Sequence, residues 1–189
     1  MKKILLIYCF LSFVLLSCKS DDDNSVNPVD QLPPATQTGA NKAGCLVNGE
    51  VFLPKGGGLG GNYNCYYQFV DGGYHFNMNF SDHTGAGTKG ILIGTNNAII
   101  EEGVTYSLNT ITYGNGEGGR GGGYSHLNFS ENIEKYYTTT PEVTGEMKIT
   151  KLDFENNIVS GTFWFDAQEL ETGEIVEIRE GRFDMRFTQ

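Results

Sequence analysis

Side chains suited to catalysis are few and scattered along this chain. Three histidines occur, His75, His83 and His126. None lies in an HExxH pattern or beside further His or Cys at zinc-ligand spacing. No GxSxG elbow is present to raise a serine nucleophile. Glu101-Glu102 and the Asp153/Glu155 pair have the residue types of a glycosidase acid and base, but a solvated acidic surface explains them more simply. Gly85, Gly87 and Gly90, and again Gly116, Gly118 and Gly121, fit GxGxxG. That fingerprint works only where a helix N-terminus follows to receive a pyrophosphate. Here Ile91-Leu92-Ile93 and Tyr124 to Phe129 follow, and both are strand-like. The reading therefore assigns no catalytic residue, no metal ligand and no cofactor.

The residues are better suited to binding. Trp164, the single tryptophan, stands between Phe163 and Phe165 and shares the parity of Thr162 and Asp166. With the phenylalanines turned inward, the indole faces out among polar neighbours, as a sugar-stacking platform does. A second candidate is a weak internal echo, in which His75-x-Asn77 and His126-x-Asn128 follow similar Gly-Gly-Tyr openings. If their strands were neighbours, the four side chains would form one polar patch for sugar hydroxyls or a metal. The plain alternative is that outward faces are simply polar. A third is the segment from Tyr113 to Gly123, with seven glycines in eleven residues and Glu117 and Arg120 at its tip. It reads either as a recognition loop or as a long hairpin connection.

The elements that must carry these residues are strands. Tyr74, Phe76, Met78 and Phe80 alternate with His75, Asn77 and Asn79. Val104, Tyr106 and Leu108 form a second set, Val159 through Ala167 a third, and Phe183, Met185 and Phe187 a fourth. This period of two is the signature of a half-buried strand. Asn48-Gly49, Asp71-Gly72-Gly73, Asn156-Asn157 and Thr172-Gly173 punctuate the runs as turns. Parity slips between Ile149 and Leu152, and between Ile178 and Phe183; a bulge or bend restores the face in each case. No stretch after Cys18 has capped helical periodicity. The expectation is an all-β fold, an antiparallel sandwich of about nine or ten strands, with a calycin-like β-barrel as the alternative.

Composition narrows the function classes. Glycine is 26 of 189 residues and aromatics are 12%, so the chain is neither collagen-like nor disordered. The net charge is −10, with only 13 basic residues. A nucleic-acid binder needs a basic face to displace counterions, and none is available. Of four cysteines, Cys9 and Cys18 lie in the N-terminal segment. The remaining pair, Cys45 and Cys65, suggests one disulfide in an exported domain. It would close a loop around the glycine-rich Gly56 to Gly61 and stabilise by roughly 3 kcal/mol. The alternative, a metal pair, lacks further ligands.

The N-terminus supplies an address. Lys2 and Lys3 precede an apolar run from Ile4 to Leu16, then Leu15-Leu16-Ser17-Cys18. The run is too short for a bilayer span. The segment resembles a bacterial lipoprotein signal, which implies cleavage after residue 17 and lipidation of Cys18. Two or more acyl chains anchor stably. Loss of Lys2 and Lys3 takes the net charge from −10 to −12. Behind Cys18 and Lys19 stand Ser20, Asp21, Asp22 and Asp23, similar to the acidic tract that sends lipoproteins of Bacteroidota to the outer face of the outer membrane. The expected organisation is a signal peptide over 1–17, a lipidated and flexible acidic, proline-containing tether over 18–43, and a single β domain over 44–189.

Leu32 to Gly49, LPPATQTGANKAGCLVNG, resembles the opening of an uncharacterised family of Bacteroidota lipoproteins reading approximately LPPATQTGxNTFGCLVNG. Lys42-Ala43 replace its Thr-Phe. Val159-Ser160-Gly161-Thr162-Phe163 through Gly181-Arg182-Phe183-Asp184 is similar to that family too. The resemblance implies a compact secreted β domain of unknown function. The leading expectation is thus a non-enzymatic binding module outside the cell, lipid-anchored in the outer membrane, with the periplasmic face as the alternative location. Its partners would be a glycan, another polymer or an outer-membrane protein, and its ligand-contacting candidates Trp164, His75, Asn77, His126, Asn128 and Arg120. A structural accessory of the envelope is the second expectation, and a carboxylate-based polysaccharide hydrolase the third.

Overall fold

The computed structural model describes residues 26–57, 61–111 and 119–189. The signal segment, Cys18, Ser20 to Asp23 and Glu117 lie outside the described residues. Eleven strands follow in order: β1 (Lys42–Val47), β2 (Glu50–Phe52), β3 (Tyr63–Val70), β4 (Gly73–Asp82), β5 (Thr88–Thr95), β6 (Thr105–Leu108), β7 (Arg120–Asn128), β8 (Ile133–Thr138), β9 (Gly145–Asp153), β10 (Ile158–Glu169) and β11 (Ile175–Arg186). Two short 3-10 turns, Pro28–Gln31 and Phe129–Glu131, are the only helical pieces among the described residues.

All named strand pairs are antiparallel. The order is β2-β1-β11-β10-β8-β7-β5-β4-β3, with β9 on β10 and β6 on β9. The sheet does not close into the barrel held as an alternative. Single parallel bridges, Lys55 to Asp82 and Tyr66 to Thr188, touch across its margins, and the arrangement is that of a sandwich. The count exceeds the expected nine or ten because of short pieces such as the three-residue β2, too brief to give a periodic signal.

The hairpins use the anticipated turns. Asn48-Gly49 joins β1 to β2 and Asp71-Gly72 joins β3 to β4, with positive φ at all four positions, as the turns whose twist matches the strands require. Both parity slips are bulges. Between β9 and β10 the register jumps at Thr150, where Ser160 pairs with Lys151 and Gly161 with Ile149. Between β10 and β11 Phe163 faces Gly181 while Phe165 faces Ile178. Arg179 and Glu180, the latter at φ 54°, together face Trp164, one residue more than a regular ladder has. The core is aromatic, with Phe80 of β4 6.4 Å from Phe163 of β10 and Phe76 6.3 Å from Phe183 of β11. Room for these rings comes from missing side chains: a Cβ on Gly181 would lie 2.4 Å from the Phe163 ring.

One organisational expectation needs correction. The tether assigned to residues 18–43 is not free over its second half. Asn27 caps the turn at Pro28–Gln31, Leu32 is buried, and residues 36–40 form a strap over β10 and β11. The cause is Asp184, which by parity should face solvent but is only 1% exposed. Its carboxylate accepts from Thr36 Oγ1 (2.6 Å), Thr38 N (3.0 Å) and Oγ1 (3.1 Å), Gly39 N (2.7 Å), Ala40 N (3.2 Å) and Ser160 Oγ (2.8 Å). Burial alone would raise its pKa. The bonds from Thr36, Thr38, Gly39 and Ser160 outweigh that and hold it far below the ordinary carboxylate range. A segment poor in apolar residues is thus ordered by charge-assisted hydrogen bonds rather than by burial.

A carboxylate whose pKa is lowered by folding contributes stability that is complete above its unfolded value, about 3.9. That contribution is lost as pH falls below this value toward the folded one. Asp184→Asn places an amide donor among donors. It is expected to lower unfolding free energy by about 3 kcal/mol at pH 7 and to shrink the acid-dependent loss below pH ~4. Urea denaturation of both proteins from pH 7 to pH 2.5 checks this.

Candidate functional site

An open groove of about 620 Å³ lies on the outer face of β6, β9, β10 and β11. Two cross-strand rows build it. In one, Thr105, Lys148, Thr162 and Arg182 stand side by side on the four strands. In the other, Ser107, Glu146 and Trp164 do, with the β11 bulge beyond. Side chains two residues apart share a face, so the outer face of β10 reads Ser160, Thr162, Trp164, Asp166. The strap covers Ser160, Thr162 is the groove floor, Trp164 its platform, and Asp166 an anchor for Arg179. Ala35, just before the strap, borders the groove.

Trp164 points outward as its parity requires, between buried Phe163 and Phe165, and is 39% exposed. The Arg179 guanidinium lies 5.6 Å from the ring centroid, within cation–π reach. Arg179 is itself held by Asp166 at 2.6 Å and by the carbonyls of Phe165 and Ile178. The indole Nε1 donates a long 3.4 Å hydrogen bond to Glu146 Oε2. The ring is therefore fixed from one face and one edge while much of it stays open to a ligand. The bulge has a direct role here, since it places Arg179 where a regular strand would not.

The four-residue patch of His75, Asn77, His126 and Asn128 does not form. Strand β5 lies between β4 and β7. His75 and Asn77 face a separate groove of about 260 Å³ over Gly94 and Gly121. His126 pairs across β5 to Lys89 and Asp82 and shares the inward parity of buried Tyr124, not the opposite face that was expected. Burial, then Lys89 and Lys135, push its pKa down, so it stays neutral near pH 7. Asn128 is buried, and its Oδ1 accepts from Ser130. Arg120 is not a loop tip. It opens β7, stacks 4.8 Å over the Tyr106 ring, and its carbonyl accepts from Asn109 and Thr110.

One carboxylate of each pair holds backbone amides. Asp153 accepts from the amides of Glu155 and Asn156, both at 3.0 Å, and Glu102 accepts from Leu152 N at 2.9 Å. Among the described residues no group of three or more His, Cys, Asp or Glu is placed to hold a metal ion.

The expected Cys45–Cys65 disulfide is absent, and the two residues are separate buried thiols on β1 and β3. Burial pushes both thiol pKa values up, that of Cys65 to about 12. The thiolate needed for exchange is thereby suppressed, and both side chains act as small apolar core residues.

What the sequence reading missed is Trp164's company: Glu146, Lys148, Arg179 and Arg182. Glu146 and Lys148 alternate with buried Met147 and Ile149, a legible outward pair. Their pairing with β10 is a matter of long-range register that no local pattern carries.

An all-β sandwich with a charged, tryptophan-bearing groove on one sheet face is thus the class of protein defined. The chain belongs to the family described as Domain of unknown function (DUF6252), whose model matches residues 84–185. That span takes in Thr105, Glu146, Lys148, Trp164, Arg179, Arg182 and Asp184, but not the strap. Comparison with curated proteins and with solved structures gives no match.

Alkylation of the unfolded protein without reductant is expected to label Cys45 and Cys65 peptides alike by mass spectrometry. A cross-linked peptide pair would restore the disulfide.

Proposed function

We propose that this protein is a lipid-anchored outer-membrane lipoprotein of Bacteroidota, exposed on the cell surface, whose β-sandwich is a non-enzymatic module for binding glycans. The observation that carries the binding reading is the Trp164 groove. An indole held open, flanked by hydroxyls at Thr105 and Thr162 and by charged donors and acceptors, supplies the apolar face and the polar rim that a sugar ring needs. The anchor reading rests on Lys2 and Lys3, the apolar run, Ser17-Cys18 and the tract Ser20 to Asp23.

A second reading, an accessory that docks on another envelope protein, draws on a different surface. Phe69 is 64% exposed, and its ring meets Tyr74 at 5.1 Å; Tyr74 meets Tyr67, and Tyr67 meets the exposed Phe154 at 5.8 Å. Such a ridge suits a protein partner better than a sugar.

Protease treatment of intact cells is expected to remove a C-terminal tag while a periplasmic control survives. In a glycan panel, binding is expected to be saturable and lost on Trp164→Ala, with the melting temperature little changed. Binding that survives Trp164→Ala, or no binding at all with a stable envelope-protein partner, would favour the second reading.

A further inference from the structure

We infer that the Trp164 groove takes an acidic saccharide, one bearing a carboxylate or sulfate, which Lys148 and Arg182 grip while its ring rests on the indole. This deepens the glycan reading above and depends on it. The argument starts from charge. The chain has 13 basic residues against 23 acidic ones, yet three basic residues and only two acidic ones, Glu146 and Glu180, line this one groove. Such concentration runs against the composition of the rest of the surface.

The three cations are not equivalent. Arg179 is committed: Asp166 holds it at 2.6 Å, two backbone carbonyls accept from it, and its guanidinium backs the indole. Lys148 is exposed and has no ion-pair partner among the described residues. Arg182, half-buried, meets only Glu180: the carboxylate lies 3.6 Å away on a side chain that is itself 55% exposed, and the carbonyl accepts from Nε at 3.3 Å. So long a contact to an exposed carboxylate contributes little, and an incoming anion displaces it while the bond to the carbonyl stays. Two positive groups are therefore available to a ligand.

Their placement suits one substituent on a stacked ring. Lys148 and Arg182 flank Thr162 from the neighbouring strands, about 9.5 Å apart at the backbone. Both side chains are long enough to converge above the threonine hydroxyl. Trp164 lies two residues further along β10 on the same face, about 6.6 Å away. A sugar ring on the indole thus directs a carboxylate or sulfate, its own or its neighbour's, toward the two cations. Glu146, facing the other side of Trp164, accepts from hydroxyls. The geometry selects against an unsubstituted neutral sugar only by leaving Lys148 and Arg182 without a partner, so the discrimination is electrostatic and salt-dependent.

The test uses the full chain in detergent. Trp164 is the sole tryptophan, so its fluorescence reports the groove directly. Oligogalacturonate, oligoguluronate and chondroitin sulfate fragments are titrated beside their carboxyl-reduced or desulfated counterparts. At least one acidic probe is expected to bind roughly tenfold more tightly than its neutral counterpart. Lys148→Ala and Arg182→Ala are each expected to weaken it five- to tenfold and to flatten its salt dependence. Equal binding of acidic and neutral forms, with calorimetric binding lost in Trp164→Ala, would overturn this inference and leave the glycan reading standing. No binding of either form would overturn both.

Discussion

Asp184 occupies an outward position on β11, and a carboxylate there would ordinarily be in water. It is instead enclosed by hydrogen-bond donors from the strap and from Ser160. Removing a charge from solvent is costly unless every lone pair is met, and here the donors come from a segment with almost nothing apolar to bury. The dependence is mutual. Without the carboxylate the strap has no reason to lie on the sheet, and without the strap the carboxylate is stranded. The strap leads directly into β1, which pairs with β11 from Lys42 opposite Asp184 onward, and Ala35 borders the Trp164 groove. The same interaction thus fixes an edge of the sheet and a wall of the site. It also joins physically two stretches at opposite ends of the domain, the LPPATQTG opening and the Arg182-Phe183-Asp184 run.

The groove depends on a second local device. Opposite Trp164, β11 carries two residues where a regular ladder would have one. This offset lets buried Ile178 and Phe183 both face the core although their parity differs. It also frees Arg179 to swing over the indole. A packing requirement and a binding surface are served by the same irregularity, which is common where strands must re-aim a side chain.

Much of this was legible in the residues. The alternation around Trp164 fixed its direction, because Phe163 and Phe165 can only be core. The parity slips at Ile149–Leu152 and Ile178–Phe183 marked both bulges, and the Asn-Gly and Asp-Gly pairs marked their hairpins. What stayed hidden is non-local. Nothing in Thr36 to Ala40 announces a partner about 145 positions away, and a carboxylate alternating with Phe183 and Met185 reads as solvent-facing. The placement of β5 between β4 and β7, which separates His75 from His126, is likewise a choice of pairing rather than of local pattern. The two cysteines were read from compartment and count. Their environment in the core, which decides their chemistry, follows only from the assembled sheet.

The Thr36–Asp184 bond spans 148 positions, and it sets an order of events. Until β11 exists the strap has no partner and β1 has only the short β2 to pair with, so the early part of the chain waits for the late part. Closing so long a loop is entropically slow, and folds dominated by distant pairings form on the slow side. A β1–β2 hairpin waiting in that interval exposes Cys45 and Phe52, both of which end in the core. The late carboxylate then acts as a latch, shutting the sandwich only once β11 is available to carry it.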